Sequence, residues 1–517
     1  MLILGMPVLS ERVPRRRADK TRRPADRRDS MKLSQLLQAI GSQQTCADCE
    51  INQVTCDSRR VEKDSLFVCI KGLKFDGHDH AQKAIEGGAA AIVCQHPLDL
   101  GEFPNQFVVE DTREAYALLS AAICGNPAKS LKLVGVTGTN GKTTITNLIK
   151  HILESAGKKV GLIGTIHNEI GDMRIPAKHT TPDPGELHVL LKRMLSAGCE
   201  YVVMEASSHA MDQKRLFGCE FEAAVFTNLT QDHLDYHGTM ENYFEAKAKL
   251  FEQAKNLVIN YDDPYGRRLI ERYQGKKSMV TYAVDDDRAD FVAKNIKFEL
   301  SFNKFALVGN GVIARVNFCM PGRFSVENAL AAACACMALG LSFEEAVNGL
   351  NTCTGVRGRT EVLDTGDNDF TIICDYAHSP DGLEKVMAAL KQLHPKRLVA
   401  LFGCAGNRDR TKRPKMTAAV AKYADFAIFT SDNPRDEDPM QIIEDGLPGF
   451  EEYKIPYKVI VDRYQAIQWA LEHAQPGDLL VLAGKGHEDY QVLDFGTIGF
   501  DEHEIVKDLL KRKQKEK

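Results

Sequence analysis

The feature that most constrains the fold is a ten-residue stretch, GVTGTNGKTT at residues 135–144. The apolar run LKLVGVTG enters it, and TTITNLIKHILESAG leaves it, closed by Gly157. That order predicts a buried strand, a glycine-rich loop and a helix whose N-terminus points its free N–H groups at an anion. Gly138, Thr139, Asn140 and Gly141 can cradle phosphates, with Thr144 completing the loop. Lys142 can reach the outer phosphates, and the Thr143 hydroxyl can ligate Mg²⁺. The usual pattern G-x-x-x-x-G-K-[ST] asks for glycine at position 136, where this chain has Val136. The loop is therefore a variant, with Gly135 and Gly138 offset from the expected position.

A strand–loop–helix of this kind needs a parallel sheet around it, and the following residues supply the pattern. YVVMEAS, AAVFTNL and NLVIN read as strands, and SVENALAAACACMALG as a small-residue helix that must pack closely on a neighbour. Farther on, FTIICDYA, RLVALFG, DFAIFTSD and DLLVLAG read as four more strands separated by helices. Each runs directly into a polar or glycine-rich loop: DYAHSPD, GCAGNRDR, SDNPRDED and GKGHED. Ligands of such sheets collect beyond the carboxyl ends of the strands, so this coincidence marks a site.

At 517 residues the chain is too long for one core. The expectation is α/β architecture in three domains. Residues 31–129 form a small α/β substrate domain, 130–356 a central P-loop ATPase-like parallel-sheet domain, and 357–517 a Rossmann-like domain. Residues 1–30 are Arg-rich but carry Glu11, Asp19, Asp26 and Asp29, unlike a transit peptide. They are expected to be a disordered extension, or to precede a start at Met31. The net charge of -5 gives no support for a nucleic-acid partner. No apolar run approaches the roughly 18 residues of a spanning helix, so no membrane span is expected. Fourteen cysteines without a regular framework suit a reducing cytoplasm. Cys46 and Cys49 have CxxC form, but no second pair follows at zinc-finger spacing.

Several further residues can carry chemistry. Glu205 ends a predicted strand and suits Mg²⁺, which takes oxygen ligands. His209 reads equally well as a local helix cap. Asp232, His233, Asp235 and His237 are zinc-ligand types, but their spacing fits no standard zinc pattern. Lys247 and Lys249, taken alone, read as solvated helix lysines. In TSDNPRDEDP, residues 430–439, an Asn-Pro pair stiffens a turn that presents Arg435. That arginine is either part of a surface turn or one wall of a pocket for a small zwitterion.

Taken together, GTNGKTT, MEASSHAMDQKR, TNLTQDHLDYHG, DYAHSPD, GNRDRTKRP, SDNPRDEDP and GKGHEDYQ occur in the order seen in the Mur ligases of peptidoglycan synthesis. The resemblance runs from about Met31 to the C-terminus and is nearest to the members that add meso-diaminopimelate. It implies ATP-dependent amide formation on UDP-MurNAc-L-Ala-D-Glu through an acyl phosphate, in the cytoplasm, by a monomer. It implies Mg²⁺ held by Thr143 and Glu205, and a second by His233 and a carbamylated Lys247, with Lys142 also in the catalytic set. Asn228, Asn328, Arg359, Asp375 and His378 would join the loop residues in binding ATP. Ser58 would contact the uridine side, with Leu73-Lys74-Phe75 a looser match, and His179, Thr180, Thr181, Ser207, Gln213 and Arg215 the muramoyl peptide.

For diaminopimelate the resemblance implies Arg408, Asp432, Asn433, Pro434, Arg435, Gly484 and Glu488. Arg435 would clamp the distal carboxylate, which lysine lacks. Asp436 to Asp438 would face water and start a helix. The chain departs from the family pattern at His179, where asparagine is common, and at Arg357 and Thr360 in VRGRTEVL. Two alternatives remain at this point: a lysine-adding member, and a non-enzymatic relative of the plastid type. Arg435 argues against the first, and Lys142, His233, Lys247 and Arg435 together argue against the second.

Overall fold

A computed structural model describes residues 30–72 and 75–515. The expected N-terminal extension (up to residue 29) and the Leu73-Lys74 part of the expected uridine-side loop lie outside the described residues. The chain falls into two compact units that divide between Glu110 and Asp111.

In the first unit, Gln53–Thr55, Ser65–Val68, Ala89–Cys94 and Gln106–Val108 form a four-stranded parallel sheet in that order. Phe67, Cys69, Ile92 and Cys94 bury one face with Ala81 and Ala84 of the helix Ala81–Glu86. Met31–Lys32 pairs antiparallel with Glu50–Ile51, and the helix runs only over Leu33–Ala39.

The helix Thr112–Ile123 belongs by its contacts to the second unit, although the expected boundary lay near 129. Its amphipathic pattern needs a partner surface, which is the helix Pro184–Ser196. Lys214 ties its start down, with Nζ 2.7 Å from Asp111 and 2.5 Å from Glu114.

The large sheet of the second unit has eleven strands. Seven are parallel, in the order Val160–Ile163, Tyr201–Glu205, Lys132–Thr137, Phe221–Phe226, Ala254–Asn260, Ser278–Ala283 and Phe291–Phe298. Antiparallel hairpins extend both edges, at His167–Ile170 with Met173–Pro176 and at Asn303–Gly309 with Val312–Phe318. Side-chain alternation along Lys132–Thr137 divides the core. Val134 and Val136 pack against Ile145, Ile149 and the alanines of the helix Arg323–Ala338. Leu133 faces the opposite core with Phe244 and Leu250 of the helix Met240–Glu252. Gly135 is closely covered there, since a Cβ would stand 2.9 Å from Leu250 Cδ1 and that side chain would have to shift.

This placement explains the missing glycine of the motif. Val136 is a fully buried strand residue, so the loop proper is only Gly138–Gly141.

The second sheet runs Glu361–Leu363, Thr371–Asp375, Asp478–Ala483, Arg397–Cys404, Phe426–Ser431 and Tyr457–Val459. All neighbours are parallel except the first pair. The last long strand, Asp478–Ala483, inserts between Thr371–Asp375 and Arg397–Cys404, which brings the loops DYAHSPD, GKGHED, GCAGNRDR and SDNPRDED to one end. Among the described residues, no helix is long and apolar enough to cross a membrane.

Candidate active site

The glycine-rich loop is fastened by its own neighbours. Gly138 (φ +151) leaves no room for a Cβ, which would fall 1.8 Å from Thr227 Oγ1. Thr139 N–H donates to the Asn228 carbonyl at 2.9 Å, and the Thr139 hydroxyl bridges Thr230 and Tyr243. Asn140 N–H donates to Asn228 Oδ1 at 3.0 Å, and Thr227 Oγ1 donates to the Asn140 carbonyl at 2.6 Å. Asn328 borders the loop from the small-residue helix, its Oδ1 beside the Cα of Gly141. Thr144 is buried in the first turn of the helix Lys142–Ser155.

Two lysine side chains meet at one carbonyl. Lys142 Nζ donates to Gly138 O and Thr139 O, both at 2.9 Å, while Lys247 Nζ donates to Gly138 O at 2.8 Å. Lys247 is 1% exposed and lies 4.4 Å from the Tyr243 ring centroid, so its reading as a solvated helix lysine fails. Its neighbours on the helix Met240–Glu252 explain why: Tyr243, Phe244, Ala246 and Ala248 make this the core-facing side. Burial pushes the Lys247 amine well below the ordinary lysine range, and the nearby Lys142 charge pushes the same way against Asp232. Burial also lowers Lys142, opposed chiefly by Glu205.

Glu205 ends the strand Tyr201–Glu205 beside the loop and is 1% exposed. Thr143 Oγ1 lies 3.1 Å from both of its carboxylate oxygens. Thr165 N–H donates to Oε1 at 2.7 Å, and Thr165 Oγ1 to Oε2 at 3.1 Å. Arg359, arriving from the second sheet, places Nη2 3.3 Å from Thr143 Oγ1. Its guanidinium carbon lies 4.8 Å from the Tyr376 ring centroid, and its buried Nε has no hydrogen-bond partner among the described residues. Lys142 and Arg359 thus bring positive charge to one carboxylate and a loop of N–H donors, with the buried Lys247 amine on the same Gly138 carbonyl as Lys142. The chemistry of that set is polyanion binding with room for a hard cation at the Thr143–Glu205 oxygens.

His233 sits in the left-handed region (φ 51) at the start of the short helix Leu234–His237. Its Nε2 lies 3.4 Å from Asp232, and its ring is edge-on to His209 at 4.9 Å. Burial lowers its pKa, with Lys142 and Lys247 adding to the shift and Asp232 opposing it. His237 turns inward to Ser208 Oγ at 3.0 Å and stacks on Tyr243. His209 contacts the rings of His233, Tyr236 and His237 rather than capping the helix; Ser207 caps it, accepting from Ala210 N–H.

The expected peptide contacts lie next to this centre. Thr181 Oγ1 donates to the Glu205 carbonyl at 2.6 Å and contacts Ser207 Oγ at 3.2 Å. Thr180 Oγ1 accepts from Thr165, and Arg215 reaches the Thr181 carbonyl at 2.9 Å while Gln213 holds its other edge. His179 is exposed. Ser58 opens a single 3₁₀ turn of the first unit, capped by Asp57.

On the second sheet, Asp375 is committed to its own loop. Its carboxylate accepts from Thr360 N–H, Thr360 Oγ1 and Ala377 N–H. Thr360 is left-handed (φ 43), and the Asp375 bonds hold it there. Burial raises the Asp375 pKa, with Arg359 opposing. His378 is exposed and meets the Tyr376 carbonyl at 2.8 Å.

The loop around Arg435 is built on a cation the sequence reading passed over. Lys485 is fully buried, with Nζ 2.7 Å from Asn433 Oδ1, 2.9 Å from Tyr490 O and 3.2 Å from both Glu488 Oε2 and Asp432 Oδ1. The contact with Asp432 is an ion pair, and among the described residues the buried Asp432 Oδ1 has no hydrogen-bond partner. Asn433 Nδ2 donates to Glu488 at 3.0 Å. Arg435 (φ 56) donates from Nη1 to Gly406 O at 2.5 Å, and its N–H pairs with Val492 O. Gly406 must be glycine, because a Cβ would meet the Pro434 carbonyl at 1.8 Å. Gly484 (φ +111) turns the chain beside Asp432, and Arg408 is exposed.

The acids after Arg435 do not simply face water. Asp438 caps the helix Pro439–Gly446 as expected, but Glu437 pairs at 2.9 Å with Arg413, which is 2% exposed. Asp436 accepts from Asn407 at 3.0 Å. A buried guanidinium needs a carboxylate, and the loop supplies one.

Three omissions have different causes. Thr165 follows a strand that neighbours Tyr201–Glu205, a pairing visible only in the sheet order. The Arg463–Glu502 pair, wholly buried beneath the strand ends at Ser431 and Ala483, joins residues far apart in sequence. Lys485 did carry a signal: a lysine between two glycines at a strand end.

Comparison with known proteins assigns names to these segments. The family models described as Mur ligase family, catalytic domain, Mur ligase middle domain, and Mur ligase, glutamate ligase domain match residues 50–123, 136–336 and 358–486. A relative from Clostridium acetobutylicum, named UDP-N-acetylmuramoyl-L-alanyl-D-glutamate–2,6-diaminopimelate ligase 1, is 45% identical over 93% of this chain and 99% of its own. A solved structure bearing the same ligase name without the final number superposes with a TM-score of 0.67 at 36% identity, covering 90% of this chain and 96% of that one. A MurF ligase from Thermotoga maritima, solved with ADP, shares the fold at 19% identity and a TM-score of 0.57, covering 90% and 98%.

Proposed function

The chain belongs to the Mur ligase family, and from that premise we propose that it joins meso-diaminopimelate to the D-glutamate carboxylate of UDP-MurNAc-L-Ala-D-Glu at the expense of ATP. The observation that carries the reading is the Thr143–Glu205 oxygen pair with Lys142 and Arg359 beside it at the strand ends. Two anions, a carboxylate and a triphosphate, must meet there, and cations offset their repulsion. The names of the relatives support the choice of amino acid.

Thr143 and Glu205 offer the hard oxygen donors that suit Mg²⁺ and would hold it. Bound there, the ion would neutralise phosphate charge and polarise the group transferred. The loop N–H groups orient the phosphates, and Lys142 exchanges its two carbonyl partners for the outer ones. The glutamate carboxylate attacks the terminal phosphorus and ADP leaves; the amine of the amino acid then attacks the acyl carbon and phosphate leaves. Arg359, held on Tyr376, stabilises charge from the second sheet. Lys247, whose burial favours the neutral amine, adds CO₂ to become a carbamate with loss of a proton, an anionic oxygen ligand beside His233.

We assign substrate recognition to three segments, 31–129, 130–356 and 357–517. We assign Arg435 as the clamp for the distal carboxylate, Gly484 and Glu488 as the seat of the distal ammonium, and Arg408 to the other carboxylate. The test is phosphate release by the purified monomer with ATP, Mg²⁺ and the UDP-dipeptide, offered diaminopimelate or lysine. Diaminopimelate alone should support turnover; release with lysine but not diaminopimelate overturns the specificity. Arg435→Ala should lose diaminopimelate selectively, and equal loss of ATP affinity would make the residue structural. Metal-dependent ATP cleavage with and without the dipeptide separates an enzyme from a non-catalytic relative.

A further inference from the structure

A wholly buried ion pair below the amino-acid loops touches three of the strand ends that carry them. Arg463 opens the helix Arg463–Glu472, and Glu502 opens the last helix, Glu502–Lys515. Both side chains are fully buried, with Arg463 Nε 2.8 Å from Glu502 Oε1. Arg463 Nη2 donates to Ala483 O at 2.8 Å, and Nη1 makes a longer contact with Ser431 O at 3.5 Å. The second carboxylate oxygen, Glu502 Oε2, accepts from Cys374 Sγ at 3.7 Å. Ser431 directly precedes Asp432, Ala483 precedes Gly484, and Cys374 precedes Asp375.

The strands Phe426–Ser431 and Asp478–Ala483 are not neighbours. Arg397–Cys404 lies between them, so among the described residues no ladder hydrogen bond joins their ends. The guanidinium spans that gap. Its planar fork aims one nitrogen at each carbonyl and the third at the carboxylate. The position is an expensive one for a charge. A cation at the start of its own helix opposes the helix dipole. Two desolvated charges also gain little stability over an apolar pair of similar volume. A pair kept in such a place points to geometry rather than to stability. The start of the last helix is itself held on both sides of Glu502, Asp501 by Arg357 and His503 Nε2 by Glu361 at 2.7 Å. Glu502 therefore offers its carboxylate from a fixed point.

We propose that Arg463 and Glu502 are positioning residues for the amino-acid pocket: their pair sets the separation of the strand ends at Ser431 and Ala483, and with it the distance between Arg435 on one loop and Glu488 on the other. The inference rests on the assignment of those two loops to diaminopimelate. Both residues act through the loops rather than on the substrate. When the separation drifts, a carboxylate clamp and an ammonium seat no longer fit the two ends of one ligand together. The phosphate loop Gly138–Gly141 leaves the other sheet and keeps its own fastenings at Thr227 and Asn228.

The experiment replaces the pair in the full-length protein by an apolar one, R463M with E502L, which leaves neither charge unpaired. Tm should stay within about 4 °C of the parent. KM for diaminopimelate should rise about tenfold, because displaced binding groups lose their alignment, while KM for ATP should stay within about twofold. Hydrogen exchange followed by mass spectrometry gives a readout independent of the amino acid used. Amides of residues 432–435 and 484–488 should exchange about fivefold faster than in the parent, and those of 138–144 at the parent rate. R463K keeps a charge facing Glu502 but has one nitrogen in place of three, so it should show the same selective change, and it decides the question if the apolar pair does not fold. Parent-like exchange in the two loops, or an unchanged KM for diaminopimelate, would make the pair a stability element and overturn the proposal. An equal rise in exchange across both sheets would overturn it as well. A parent enzyme that turns over a different amino acid refutes the proposed substrate and leaves the exchange result to decide the positioning role.

Discussion

Replacing Lys485 by methionine tests the reading of the amino-acid loop most directly. The ammonium is fully buried and contacts Asn433, Tyr490, Glu488 and Asp432 at 2.7 to 3.2 Å. Methionine keeps most of the volume but leaves two carboxylates facing an empty partner. Breaking a buried ion pair from one side costs about 3–5 kcal/mol, because a desolvated charge loses its counter-charge. For a lobe of this size that lowers Tm by roughly 10 °C. Asn433 and Glu488 also lose the atom that sets their rotamers, so KM for diaminopimelate should rise about tenfold, equivalent to about 1.4 kcal/mol. KM for ATP should stay within about twofold, a change of less than half a kcal/mol. Calorimetry and steady-state kinetics read both effects. Adding E488Q to K485M removes one of the unpaired charges and should restore part of the lost Tm. A Tm within about 2 °C of the parent, less than 1 kcal/mol of stability, would refute the electrostatic reasoning, as would a double variant less stable than K485M.

Gly138→Ala should abolish ATP binding, since its Cβ would fall 1.8 Å from Thr227 Oγ1 and the φ of +151 disfavours any side chain; isothermal titration with ATP reads it, and binding within threefold of the parent would refute it. Lys247→Arg removes the amine that takes up CO₂, so kcat should fall about 10²–10³-fold with little change in ATP affinity. A kcat within tenfold of the parent, insensitive to bicarbonate, would count against the carbamate. Glu169 gives the pH dependence. Burial favours its neutral form, yet hydrogen bonds from His167 and Lys150 hold its carboxyl down to about 2. A depressed carboxylate stabilises the fold above its unfolded value near 4.5, and that contribution, at most about 3 kcal/mol, is lost as pH falls towards 2. Urea unfolding of E169Q should therefore show a shallower loss of stability than the parent between those values, and parallel curves would refute the assignment.

The architecture was legible because its signals are local. GVTGTNGKTT between an apolar run and a helix fixes a strand, a loop and a helix N-terminus within one stretch of chain, and they are found at Lys132–Thr137 and Lys142–Ser155. The four strand ends of the second sheet were equally readable, since each apolar run stops at a polar loop. Residue identity alone also marked Glu205, Arg435 and the histidines as chemistry-bearing.

What the tertiary structure decided was which charges leave water and whom they meet. Lys247 carries the same amine as Lys249 two residues later, but the helix face turns one towards Gly138 and leaves the other at Asp212 on the surface. Thr165 reaches Glu205 only because two strands distant in sequence are neighbours in the sheet. The acids after Arg435 divide between capping a helix and neutralising Arg413, a partner far back in the chain. Periodicity and turn chemistry act over a few residues, so the sequence alone determines elements and their order. Desolvation and pairing depend on which elements pack together, and that is settled only when the sheets have formed.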